Sequence, residues 1–286
     1  MQEFDHWHIA YKRIGTQRFE IIQSPYYGWT ADPFLIRFKG RLYLFAEIFL
    51  YKSERKGVIG FCVYNEEKKQ WSDWKVSMDR HWHLSYPYVF IRNEKLYMIP
   101  ESWQLGEVVL YELKAFPDQW IKVKSLLMNG EYCDSTLFSW GGEDYLISFE
   151  RGVKTPEGKG ILYCHDKTGD FRVCQNISDS LEGARCGGKV IYKNGKVIRV
   201  GQNSAKCYGG GLIFYEIDSV RPEYREHEIK RIDMNDFRLS WRRRFRGIHT
   251  YNEFEGFKVI DLCERTTSFA ERMASKRVRK VFNDKY

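Results

Sequence analysis

No stretch of this sequence approaches the roughly 18 consecutive apolar residues that a membrane-spanning helix needs, so no such span is expected. The opening residues, MQEFDHWHIAYKRIG, lack a basic segment followed by an apolar core and do not read as a secretory signal. The seven cysteines are odd in number and scattered, and none forms a C-x-x-C pair. That spacing argues against a zinc site or a disulfide framework and for free thiols in a reducing, cytoplasmic setting. With only 7 Pro and 23 Gly in 286 residues, low-complexity and disordered classes are excluded. Helix signals are also scarce until residue 265.

Aromatic residues, in contrast, make up 16% of the chain, enough to furnish a large folded core. The net charge of +8 is concentrated in WRRRFRG (241–247) and in the tail ERMASKRVRKVFNDKY. Such a balance suits nucleic acid, an anionic membrane or a phosphorylated substrate, or is simply a solvated basic surface. No nucleic-acid recognition motif accompanies it, so nucleic acid is not expected as a partner.

A two-strand unit recurs along the chain. DPFLIRFKGRLYLFAE begins at Asp32, YPYVFIRNEKLYMIPE at Tyr86 and DSTLFSWGGEDYLISFE at Asp134. Weaker copies, GGKVIYKNGKVIRVGQ and IHTYNEFEGFKVIDLC, begin at Gly187 and Ile248. Each joins two apolar strands by a tight turn such as Lys39-Gly40 or Asn194-Gly195, a strong hairpin signal. The period of about 50 to 60 residues is that of propeller blades, and five copies predict an all-β, five-bladed β-propeller over residues 1–263. Residues 264–286 are expected to form a basic amphipathic helix with Phe269 and Met273 on its apolar side. Such a helix packs on the propeller or lies on an anionic membrane surface, at the inner face of the membrane for a cytoplasmic protein.

In a propeller the strand that opens each repeat lines the central channel. Asp32, Tyr86, Asp134, the Arg185–Gly187 region and His249 should therefore converge on one funnel. Asp32 is the most telling, because Asp followed by Pro33 is a poor choice inside a strand unless it caps a turn or serves chemistry. Asp134, followed by Ser135 and Thr136, has the same two readings. Arg185 could hold a phosphate or carboxylate, or pair with a structural acid. His83, Gln202, Tyr208 and His249 are candidate hydrogen-bonding walls, Tyr86 a further substrate contact, and Trp29 and Trp103 candidate stacking surfaces for a sugar. No spacing of His and carboxylates resembles a metal-ligand set, and no cofactor is expected.

The blade openings ADPFLI, SYPYVF, CDSTLF and EGARCGG resemble, in that order, those of five-bladed propeller glycosidases such as arabinanases, β-xylosidases and invertases. That resemblance implies a catalytic base or nucleophile at Asp32, a pKa-tuning acid at Asp134 and a general acid at Glu182. Glu182 lies several residues early for that role, which leaves Glu101, Glu47 and Glu150, at equivalent strand ends, as alternatives. From Trp7 to Asp261, WHIAY, WTADPFLI, LYMIPES, YGGGLIFYEI and GIHTYN resemble the N-terminal propeller domain of plant glucosamine inositolphosphorylceramide transferases.

Three function classes follow. The first is sugar transfer from a nucleotide-sugar, or onto a lipid-linked glycan, in polysaccharide or glycolipid assembly. The second is glycoside hydrolysis, which needs a carboxylate pair about the anomeric centre. The third is a non-catalytic sugar-binding or scaffold domain. Neither a Gly-rich phosphate loop nor a D-x-D motif is present, so an ordinary Rossmann-type transferase site is not expected.

Overall fold

A computed structural model describes residues 3–51, 56–152, 157–237 and 245–267. Five antiparallel sheets are arranged as the blades of a propeller. Blade 1 runs outward through Gly28–Phe38, Arg41–Leu50 and Gly57–Asn65, with Gln70–Trp71 and Lys75–Met78 at its edge. Blade 2 comprises Ser85–Arg92, Lys95–Glu101, Glu107–Ala115 and Gln119–Met128, and blade 3 Tyr132–Trp140, Glu143–Arg151, Gly158–His165 and Phe171–Ser178. In blade 4 a broken inner strand, Glu182–Cys186 and Ile191–Lys193, precedes Lys196–Asn203, Gly211–Ser219 and Arg225–Ile232.

Blade 5 is built from both ends of the chain. Its inner segments Phe245–Gly247 and Tyr251–Phe254 pair with Phe257–Thr267, which in turn pairs along its whole length with Glu3–Arg13. Glu264 therefore continues a strand, and the boundary expected at residue 264 is not a strand-to-helix switch. The remainder of the expected helix, from residue 268, lies outside the described residues, as do residues 241–244 of the arginine-rich segment.

The repeat works because one turn chemistry is used in every blade. Lys39-Gly40, Asn93-Glu94, Gly141-Gly142, Asn194-Gly195 and Glu255-Gly256 each join an inner strand to its neighbour with both φ angles positive. A two-residue turn of that kind matches the right-handed twist of the strands it joins. The inner strands of blades 1 and 3 are buried on both faces over most of their length, and outer strands such as Arg225–Ile232 are mostly exposed. The Pro33–Ile36 stretch of blade 1 accordingly reads as a continuous apolar run, not as an alternating one.

The channel they surround is closed across its middle by Tyr86, which is fully buried. Its hydroxyl lies 2.8 Å from the Thr136 hydroxyl on blade 3, and it accepts from the Gly188 N–H at 2.9 Å on blade 4. Tyr86 was expected to contact substrate; instead it seals the axis below the funnel. Gly188 has φ 144, and a Cβ there would stand 2.1 Å from the Tyr251 carbonyl, so only glycine lets blades 4 and 5 meet beside this plug. Tyr86→Phe leaves the buried Gly188 N–H without its acceptor and removes a bond from the Thr136 hydroxyl. It should cost about 1–3 kcal/mol in urea denaturation; an unchanged midpoint would show that the hydroxyl contributes nothing to the seal.

Candidate active site

Each of the first four blades has a β-bulge near the start of its inner strand, between Ala31 and Phe34, Ser85 and Tyr88, Cys133 and Thr136, and Glu182 and Cys186. At the bulges Asp32, Tyr86, Asp134 and Gly183 adopt left-handed φ angles of 53, 41, 48 and 91°. Three of these are not glycine, a strain of order 1–3 kcal/mol each that surrounding bonds must offset. The bulge frees the backbone N–H of its residue from the ladder, and a carboxylate takes it up. The Asp32 amide donates to Asp261 Oδ2 at 3.1 Å, that of Tyr86 to Asp32 Oδ2 at 3.1 Å, and that of Asp134 to Glu101 Oε2 at 3.1 Å.

These acids form the floor of a funnel. Asp32 Oδ1 accepts from the Thr250 hydroxyl at 2.9 Å, and His249 Nε2 lies 3.5 Å from it. His249 Nδ1 is 2.7 Å from Asp261 Oδ2, while Asp261 Oδ1 accepts the backbone N–H groups of His249 and Thr250. On the other side Arg185 lies between Asp134, 2.5 Å away, and Glu101, 3.1 Å away. Gln202 donates to Asp134 and to the Cys186 carbonyl, and its own Oε1 is buried without a partner. Above Arg185 a cleft of about 590 Å³ opens, lined by Trp103, Phe149, Arg151, Lys206 and Tyr208 among others. Trp103 is covered on one face by the Arg151 guanidinium at 4.5 Å.

The structure thus brings together Asp32, Asp134, Glu101, Arg185, Gln202 and His249, with Tyr208 packed edge-on to His249 at 5.3 Å. His83 stands at the margin of the floor, accepting the Gly57 N–H at Nδ1 and facing Glu47 Oε1 at 3.4 Å through Nε2. Trp29 is half-buried and stacked on Phe49 at 4.6 Å, so one of its faces is already covered. Glu182 is not brought to the floor. It precedes Gly183, where the bulge turns the chain, and its side chain is 43% exposed and paired with Arg231 at 3.0 Å. Glu150 also points elsewhere, accepting from the Tyr163 hydroxyl at 2.7 Å. Asp261 and Thr250 were missed; a single acid inside the apolar run KVIDLC was the available signal for the first. The cysteines expected to be free thiols are free, and Cys62, Cys133, Cys186 and Cys263 are buried.

Residues 6–250 match the sequence family described as glucosamine inositolphosphorylceramide transferase 1, N-terminal. The chain belongs to the glucosamine inositolphosphorylceramide transferase N-terminal family. The protein named glucosamine inositolphosphorylceramide transferase 1 of Arabidopsis thaliana is 32% identical over 210 residues, which are 70% of this chain and 27% of that protein. Its namesake from Oryza sativa subsp. indica is 30% identical over 206 residues, 69% of this chain and again 27% of the relative. This chain therefore spans about a quarter of the plant proteins it matches.

Among solved structures, the catalytic domain of the Coprinopsis cinerea GH62 α-L-arabinofuranosidase superposes with a TM-score of 0.59 at 12% identity, covering 90% of this chain and 97% of that one. The Bombyx mori GH32 β-fructofuranosidase gives 0.56 at 13% identity, over 90% of this chain and 56% of the other. At such identities the likeness is one of fold.

In this member of the glucosamine inositolphosphorylceramide transferase N-terminal family the floor crowds five carboxyl groups, and burial is the largest influence on Asp32, Asp134 and Glu47. Burial raises Asp32 to about 6, with Asp134 and Asp261 adding to the rise and His249 opposing it. Asp134 is raised to about 7 by burial, against the pull of Arg185. Glu47 is held well above the usual range by burial and by Asp32 and Glu101. For His249 burial favours the neutral ring, but Asp261 and Asp32 outweigh it and raise the group to about 8. Burial likewise opposes ionisation of Asp261, but His249 and the N–H donors outweigh it and hold it below its ordinary value. Burial lowers His83 to about 4, assisted by Arg185, so its ring is neutral at neutral pH.

The signs combine into one expectation. Raised Asp32 and Asp134 favour the folded state when protonated, and that contribution is lost as pH rises through about 6 and about 7. The contribution of His249 is complete below its ordinary 6.5 and is lost through about 8, whereas that of Asp261 is lost only on acidification below its ordinary 3.8. Thermal stability should therefore decline from about pH 4 to about pH 8, and Asp134→Asn should flatten the slope between about pH 4 and about pH 7. Equal slopes in the two proteins would mean that Asp134 is not raised.

Proposed function

We propose that the funnel is a glycosyl-transfer site acting on a nucleotide-sugar or lipid-linked glycan in surface polysaccharide or glycolipid assembly, at the cytoplasmic side of a membrane. The observation that carries this reading is the substitution of partners on the fourth blade: Arg185 reaches the floor, and Glu182 does not. Hydrolysis of an alkyl glycoside needs an acid at the funnel surface to protonate the departing oxygen. Glu47, held well above the usual carboxylate range by burial, is only 5% exposed, facing His83 and packed against Gly57, where a Cβ would lie 2.5 Å from its Oε1. A phosphate leaving group departs as a stable anion and needs a cation more than an acid. Arg185, 25% exposed, is placed to offer one.

In this scheme Asp32 accepts the proton of an acceptor hydroxyl. The resulting oxygen forms a bond to the anomeric carbon, and the bond from that carbon to the phosphate oxygen breaks with its electron pair going to the phosphate. A carboxylate raised to about 6 is ionised at neutral pH and more basic than an ordinary one. His249 at 3.5 Å balances its charge before the reaction. The names of the plant relatives, which are those of a sugar transferase, support the same class. One observation favours a second reading, a sugar-binding domain serving another catalytic unit: every oxygen of Asp32 and Asp261 already accepts at least one bond or ion pair.

A thermal-shift panel of nucleotide-sugars and simple glycosides, followed by turnover assays, separates these. A nucleotide-sugar should raise the melting temperature by several degrees, as ligands of the native state do. Asp32→Asn should retain that shift and lose about 100-fold or more in transfer rate. Stabilisation by free sugars with no turnover in either protein would establish the binding domain instead, and hydrolysis of aryl glycosides would establish the glycosidase.

A further inference from the structure

At the end of the axis away from the funnel, beyond the Tyr86 plug, blades 4 and 5 border a second cavity of about 750 Å³. Lys12, Arg13, Lys189, Lys193 and Lys258 line it. The carboxylates of Glu253 and Glu255 are the acids among its lining residues, and both are already engaged. Glu253 lies 3.7 Å from Lys193 and from Lys258 and accepts the Tyr251 hydroxyl, while Glu255 takes the Arg37 Nε–H at 2.5 Å.

Lys189 is the telling residue. It leaves the inner strand of blade 4 toward the axis, where its Nζ donates to the Leu35 carbonyl at 3.1 Å and stands 5.8 Å from the Tyr88 ring centre. Among the described residues no carboxylate pairs with it. A half-buried ammonium that has shed water without gaining an anion is unfavourable, and burial lowers this one to about 7. A counter-ion supplied from solution would relieve that cost. The cavity also has apolar walls, from Tyr88, Phe254 and Tyr192, the last 57% exposed. A bare inorganic anion would leave those walls in contact with water.

We propose that this cavity is a second ligand site, taking a phosphate ester whose phosphate is held by Lys189, Lys193 and Lys258 and whose organic part lies on Tyr88, Tyr192 and Phe254. A phosphate monoester carries a charge near −1.5 to −2 at neutral pH, which suits several cations better than a single carboxylate would. The phosphate could belong to a soluble ester or to a lipid headgroup, and the experiment distinguishes them.

Calorimetric titration of the whole chain with phenyl phosphate should show saturable binding. The double variant Lys193→Ala/Lys258→Ala, which alters two exposed side chains and so keeps the fold, should weaken it about tenfold or more. Lys189→Met should abolish it, and Lys206→Ala, at an exposed residue lining the funnel cleft, should leave it unchanged. Flotation with phosphatidylcholine vesicles containing phosphatidic acid reads the source. Vesicle binding displaced by phenyl phosphate and lost in the double variant assigns a lipid headgroup; phenyl phosphate binding without vesicle binding assigns a soluble ester. The proposal is overturned if neither probe binds, if the double variant binds as tightly as the wild type, or if Lys206→Ala abolishes binding and thereby places the anion in the funnel.

Discussion

Five carboxyl groups, those of Asp32, Glu47, Glu101, Asp134 and Asp261, share one solvent-poor floor, where an unpaired carboxylate would cost several kcal/mol. The fold meets that demand by spending their acceptor capacity between blades. Asp261 of blade 5 takes the amide of Asp32 in blade 1, Asp32 takes that of Tyr86 in blade 2, and Glu101 of blade 2 takes that of Asp134 in blade 3. Arg185 and Gln202 of blade 4 close on Asp134, and Thr250 of blade 5 closes on Asp32. The acids thus form a run of tethers about the axis from blade 5 through blades 1, 2 and 3 to blade 4. The left-handed bulges exist because they turn the amides toward these acids, so backbone strain and buried charge offset one another at the same positions.

This double duty explains why the choice between a cap and a chemical role for Asp32 was too narrow. Asp32 accepts a backbone amide, as a cap does, but the amide belongs to the next blade, and the same carboxylate remains beside a cationic His249 at the funnel floor. Structural tethers tuned by burial are also groups with shifted proton affinities. Any chemistry in the funnel must therefore operate on residues that hold the blades in register.

Much of the architecture was legible because each blade repeats a local signal. The hairpin turns, the Asp-Pro and Tyr-Pro openings and the spacing of the copies all arise from short-range backbone needs that a sequence displays directly. Asp134, Arg185 and His249 could be placed near the axis for the same reason. Glu182 could not, because whether it reaches the floor depends on the turn taken at Gly183, and a single bulged residue reverses the face a side chain presents. Tyr86 occupies the position equivalent to Asp32 and Asp134 yet plugs the channel; its partners, Thr136 and Gly188, lie on other blades and are invisible to local pattern. Asp261 was hidden by its strand, where one acid among apolar neighbours has meaning only once His249 is known to sit beside it.

Blade 5 has a directional consequence. Inner strands run from the funnel toward the far end of the axis, so their partners run back, and Phe257–Thr267 finishes at the funnel rim with Glu3 paired beside Thr267. Both ends of the described propeller are thus anchored at one doorway, and the phosphate-binding cavity proposed above opens on the other side. Fraying of the pair Glu3–Arg13 and Phe257–Thr267 from that doorway would reach Asp261, opposite Ile9, and with it the carboxylate that takes the Asp32 amide.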